Sequence, residues 1–318
     1  MKATTKLVLA LAVAALAAVA AGSALADAPV GVQGPDGNIS GVVPTLAGTS
    51  VPGSDVHGLG NLLYHGGPTM KTNSVFVIFW KPAGQFMSST YRPLIKQYYK
   101  DVAADSGKTS NVYFSDTQYS GIHYKSSFGG AVTMTNPFPP SGCLDTATTR
   151  CLSDAQIRFE INQAILLRGW TRTPSHLFVL FTPRNVGSCF GGGPSGCAFT
   201  DYCAYHGAEG SGPSMLIYAN QPYAAHAGCD VGERPNGSDA DPTINVASHE
   251  HNESITDPDA ATGWFDLAGD ENGDKCAWIF GPELGPGGGH FNQTINGHHY
   301  LLQEEWSNHS VNCVQTGI

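Results

Sequence analysis

The stretch "NVASHEHNESITDPD", residues 245–259, holds the residues whose spacing could do chemistry. It reads as the zinc-protease pattern H-E-x-x-H with a glutamate in place of the second histidine. An imidazole and a carboxylate four residues apart on a helix can grip one cation. Both donor types suit Zn²⁺, which lowers the pKa of bound water toward about 7. In such a site His249 and Glu253 are metal ligands, and Glu250, one residue round the helix from His249, is the catalytic base. Glu253 in place of histidine does not forbid zinc; it makes the donor set harder and adds one negative charge.

A third ligand must come from downstream, and three acids are candidates. Asp259 lies six residues after Glu253, the metzincin spacing, although Thr256 stands where those motifs carry glycine. Asp257 is followed by proline and reads equally well as a helix-ending residue. Glu271, eighteen residues after Glu253, is preferred, because a distant acid can fold back over the helix as a tight local turn cannot. "DLAGDENGDKCAW" resembles the start of a calcium loop, with Asp270, Asn272 and Asp274 at alternating positions. Lys275 occupies the place of the required glycine and no closing glutamate follows, so Ca²⁺ is the weaker cofactor reading beside Zn²⁺. His206, His226, His290, His298 and His299 are further possible ligands or proton carriers, although most histidines in such a chain serve surface or packing roles.

These residues need a helix to hold them. Asp241-Pro242 is a helix start, with Asp as N-cap and Pro at the first helical position, and Asp257-Pro258 is a stop. The helix expected over 242–256 turns about 100° per residue. Ile244, Ala247, His251 and Ile255 then form a core stripe, with His249 and Glu253 on roughly the opposite side and Val246 between them. Around this helix, "SVFVIFW", "GGAVTMTNPF", "HLFVLFTP" and "SMLIYAN" read as buried strands and "SSTYRPLIKQYYKDVAADSG" as a helix. "NVYFSDTQYS" reads as extended and Tyr300 to Glu305 as strand-like. "LSDAQIRFEINQAILLRGW" is a helix opened by a Ser153/Gln156 capping box. This alternation argues for one α/β or α+β domain over residues 61–318, with a mixed central sheet.

Residues 1–26 have the basic start, apolar run and Ala24-Leu25-Ala26 ending of a secretory signal peptide, which places the product outside the cell or in the periplasm. Residues 27–60, rich in Gly, Pro, Ser and Val without periodicity, read as a flexible leader or short pro-segment. The chain carries a net charge of −10, and losing residues 1–26 removes Lys2 and Lys6 and no acid. A basic nucleic-acid footprint is therefore absent, and after signal cleavage no membrane association is expected. The 8 cysteines in an exported chain favour disulfides over thiolate metal sites. Eight cysteines allow 105 connectivities; pairing by proximity suggests Cys143–Cys151, Cys189–Cys197, Cys203–Cys229 and Cys276–Cys313.

The segments "SVFVIFW", "CAYHG", "SMLIYANQPYAAHAGC", "NVASHEHNESITDPDAATGW" and "GDKCAW" together resemble the phosphate-induced protein 1 / EXORDIUM family and its bacterial secreted relatives, in patches over residues 60–313. The resemblance implies an extracellular protein, linked in plants to cell-wall growth responses. Plant members share the surroundings of "NVAS" and "TDP" but lack the His-Glu pair, which implies that His249 and Glu250 are dispensable to the fold and serve a function here. Two readings follow. One is a zinc-dependent hydrolase acting on a peptide or protein substrate. The other is a non-enzymatic extracellular binding or signalling protein.

Overall fold

The run Asn73–Trp80 forms an interior strand of the sheet, with nearly every residue buried and alternate side chains feeding opposite cores. Val75, Val77 and Phe79 enter one core, and Phe76, Ile78 and Trp80 the other, as the two-residue period of a strand requires. In the computed structural model, which describes residues 31–33, 39–47, 58, 60–189, 196–259 and 262–318, this strand belongs to a seven-stranded sheet. Numbering only the strands of that sheet, they are β1 (Gly31–Gln33), β2 (Ile39–Pro44), β3 (Asn73–Trp80), β4 (Ser126–Met134), β5 (His176–Phe181), β6 (Tyr202–Glu209) and β7 (Leu216–Gln221). Their spatial order is β1-β2-β6-β7-β5-β3-β4. The β7, β5, β3 and β4 pairings are parallel, whereas β6 runs antiparallel to β7 and to β2, and β1 antiparallel to β2. The sheet is therefore mixed, as the sequence indicates.

Helices α1 (Tyr91–Ala104) and α3 (Asp241–Thr256) cover one face and α2 (Asp154–Arg168) the other. The capping box on α2 forms as its sequence dictates: Ser153 Oγ accepts from Gln156 N, and Gln156 Oε1 accepts from Ser153 N. Gly169 ends the helix at φ 65°, a left-handed conformation that glycine adopts without a Cβ penalty. Ile157, Ile161, Ala164 and Ile165 of α2 pack on the sheet.

The four disulfides are Cys143–Cys151, Cys189–Cys197, Cys203–Cys229 and Cys276–Cys313, the pairing expected from proximity. Among the described residues no helix is long and apolar enough to cross a membrane. Residues 1–26 and most of the leader lie outside the described residues.

Three local expectations change. "NVYFSDTQYS" is a 3-10 helix over Val112–Gln118, started by Asn111, whose side chain accepts from Tyr113 N. The strand expected over 300–305 is divided between His298–Tyr300 and Glu305–Ser307, each in its own hairpin. The leader, aperiodic in sequence, contributes β1 and β2. Its ordering comes from pairing with β6, some 160 residues later in the chain, which no local pattern reports.

Candidate metal centre

Helix α3 begins one residue before its expected start. Asp241 is its first residue, and its carboxylate accepts from Ser238 N and Asn236 N in the preceding loop. Every residue of α3 is buried, so its polar side chains must find partners inside the protein. The two faces separate as expected. Ile244, Ala247 and Ile255 enter the core on the α1 side, and Val246 enters the other. His251 lies on the α1 side, its Nδ1 3.0 Å from Tyr113 Oη and its Nε2 3.0 Å from Asn73 Oδ1. Burial lowers its pKa to about 3, which makes it a neutral packing residue.

On the other face, His249 and Glu253 meet, with Nε2 2.8 Å from Oε1. Gln303 Oε1 accepts from Trp278 N and lies 3.3 Å from His249 Nδ1, so Nδ1 carries the proton that it donates. Gln303 is itself anchored through its backbone N–H, which donates to Asn245 Oδ1. This leaves the Nε2 lone pair aimed at the site, the usual way an outer partner orients a metal-binding imidazole. Asp274 closes this first triad, with Oδ1 3.5 Å from His249 Nε2 and its backbone N–H donating to Glu253 Oε1 at 2.9 Å. It arrives on a short 3-10 turn, Asp274–Cys276, tied down by the Cys276–Cys313 disulfide. Gly273 permits the approach, since a Cβ there would lie 2.9 Å from both Glu253 Oε1 and the His249 ring.

Glu253 also belongs to a second triad, with His206 and Glu271. His206 stands on β6 on the same sheet face as Ala208, towards α3. Its Nε2 donates to Asp257 O at 2.9 Å, while Nδ1 faces Glu250 Oε2 at 2.9 Å and Glu253 Oε2 at 3.5 Å. Glu271 Oε1 lies 3.5 Å from His206 Nε2.

The preferred third acid, Glu271, is therefore in the cluster, but grouped with His206 rather than His249. Asp257 and Asp259 join neither triad among the described residues. The proline after Asp257 stops the helix, and its Oδ1 instead accepts from Gly263 N. The backbone carbonyl of Asp259 accepts from Thr262 in the turn that follows. In the sequence Asp274 stands out only as part of a failed calcium loop. Its sole signal was its place two residues before a cysteine. His206 was one histidine among several, and its strand carried no recognisable period.

Four atoms of this cluster are buried without a hydrogen-bond partner: His249 Nε2, Glu253 Oε2, Glu271 Oε1 and Asp274 Oδ1. They are donor atoms of the two triads. Carboxylates also outnumber imidazoles. Burial, reinforced by the charge on Glu253, pushes Glu271 and Asp274 well above the usual carboxylate range. Burial likewise lifts Glu250 to about 7 against the pull of His206. For Glu253 burial is outweighed by His249 and His206, and it falls to about 2. For both histidines burial is outweighed by the surrounding carboxylates, Glu271 foremost for His206 and Glu253 for His249, and both rise well above their ordinary value. Just beyond, Glu305 is buried with neither oxygen hydrogen-bonded, and burial raises it too. An excess of buried carboxylates around oriented imidazole lone pairs is an environment that a divalent cation stabilises.

No family model, curated protein or solved structure matches the chain.

Proposed function

We propose that the protein is a secreted zinc-dependent hydrolase, most simply a peptidase, with His249, Glu253 and Asp274 holding the metal and Glu250 as the catalytic base. The observation that carries this reading is that His249 Nε2, wholly buried, lies 2.8 Å from Glu253 Oε1 and 3.5 Å from Asp274 Oδ1, so that one nitrogen and two carboxylates converge inside the protein. Zinc fits this set of one nitrogen and two oxygen donors, and supplies Lewis acidity when bound. Glu250 follows His249 directly, and its lift to about 7 suits a group that takes a proton from an attacking water and returns it to a leaving amine. His206 Nδ1 holds Glu250 in place, and its own Nε2 is fixed by the Asp257 carbonyl. The four disulfides and the signal-peptide features of residues 1–26 support an exported product.

One observation favours the non-enzymatic alternative, in which the cation is structural. His206, His249, Glu250 and Glu253 have no solvent exposure. The decisive experiment measures metal content and casein hydrolysis together. Glu250→Gln should keep zinc and lose at least 100-fold in hydrolysis, and His249→Ala should lose both. Zinc bound by a chain that hydrolyses nothing, with or without Glu250, would assign the cation a structural role.

A further inference from the structure

Something must cover the carboxylates of the cluster, and it is the chain's own leader. Strand β2 lies antiparallel on β6, with Val42 opposite Tyr205 and Val43 opposite Ala204, immediately beside His206. The Val43 N–H donates to Glu250 Oε1 at 3.1 Å, so the leader's backbone engages the base itself. Gly41 passes directly over the second triad. A Cβ built there would overlap Glu271 Oε2 and His206 Cε1 and come within 2.9 Å of Glu253 Oε2. The flanking contacts are also made by main chain: Trp278 Nε1 donates to Pro44 O at 2.9 Å, and Leu46 N donates to Gly228 O at 2.7 Å.

From this we propose that the edge of β6 is a peptide-binding groove, taking an extended segment with glycine over the carboxylates and small apolar residues after it, and that residues 39–46 fill it here as a substrate-like strand. The proposal rests on the metallohydrolase reading. Strand addition to a sheet edge gives affinity through backbone hydrogen bonds and selectivity through alternate side chains. Both are present. Val42 and Val43 are buried beyond the glycine, while the polar contacts use backbone that any peptide possesses. Removing β2 leaves β6 unpaired on the side where Glu250, His206, Glu253 and Glu271 gather. Partial inhibition of the intact chain follows, because the leader competes for the position that an extended substrate would take.

Two measurements on the full chain test this. The first is backbone hydrogen exchange of the unaltered protein, with and without a synthetic peptide of sequence ISGVVPTL. The amides of residues 41–43, 45 and 46 should exchange through local opening, at least 10-fold faster than those of β3 and β5, and faster again when the peptide competes for the groove. The same peptide with valine for its glycine should have no effect. If residues 41–46 exchange only together with β3 and β5 and the peptide changes nothing, β2 is a permanent strand and the groove is refuted. The second is Val43→Pro, which removes the N–H given to Glu250. It should bind labelled ISGVVPTL at least 10-fold more tightly than the parent chain, retain its zinc and hydrolyse casein at least 10-fold faster. Tighter peptide binding without hydrolysis in the zinc-loaded variant would uphold the groove and overturn the hydrolase. Hydrolysis in the parent chain that Val43→Pro does not raise would overturn the groove alone.

Discussion

Zinc should stabilise the fold through the His249–Glu253–Asp274 triad by an amount that can be set in advance. In the metal-free protein the triad packs an imidazole against two buried carboxyls, and burial pushes Asp274 well above the usual carboxylate range. A cation that binds only the folded chain adds about 2.7 kcal/mol at one hundred times its Kd. In a domain of this length each kcal/mol moves the apparent Tm by about 2–4 °C. Chelator-treated protein should therefore gain about 5–10 °C on adding zinc, followed by circular dichroism. The gain should rise with pH. Asp274, raised by burial, and His249, raised by its carboxylates, must both shed protons before they bind. His249→Ala should abolish the gain and Asp274→Asn should reduce it. No gain in the parent protein, or an equal gain in His249→Ala, would refute the reasoning.

Three other variants separate the site from its scaffold. His251→Leu should cost about 1–3 kcal/mol in chemical denaturation, since it removes two buried hydrogen bonds while Tyr113 keeps Tyr98 and Asn73 keeps Ser126 as partners, yet leave zinc stoichiometry unchanged. Replacing Cys276 and Cys313 by serine opens a loop with a sequence separation of 37, for a loss of about 3–4 kcal/mol; zinc titration should also show weaker binding, because the bridge anchors the turn bearing Asp274. Glu160, buried beside the Asn136 amide, has its pKa raised by burial from 4.5 to about 7. Its folded form holds the extra proton, so stability present below pH 4.5 is lost as pH rises through 7; Glu160→Gln should be more stable by about 1–3 kcal/mol at pH 8 in urea unfolding, and no more stable at pH 5.

What could be read from the sequence is what neighbouring residues decide. The α3 boundaries follow from two Asp-Pro steps, its faces from helical period, and the α2 start from a side chain bonding three residues away. The first two ligands were legible for the same reason, being one turn apart. The remaining donors arrive from other parts of the chain. His206 comes from an antiparallel strand whose partners lie before and after it, and Asp274 from a turn positioned by a disulfide to residue 313. Their positions depend on tertiary packing, which leaves no period to detect. Glu271 does fold back over the helix as a distant acid can, but Asp274, three residues further along a tight turn, reaches Glu253 as well.

Glutamate at position 253 explains why the centre is built this way. A second histidine would present one donor nitrogen in one direction. The carboxylate presents two oxygens, one 2.8 Å from His249 and the other 3.5 Å from His206. It therefore couples the helix to β6 as well as to the Asp274 turn, at the cost of one more buried charge. That charge pushes Glu271 and Asp274 up and draws both imidazoles toward their charged forms. Without a cation, the cluster must balance itself with protons. With one, the protons leave and the donors converge on the ion. The leader's grip comes from the neighbouring Glu250, whose carboxylate accepts the Val43 N–H with one oxygen and faces His206 with the other. On the proposed function, metal loading and leader release draw on a common set of carboxylates, and a change at Glu253 should be felt in both.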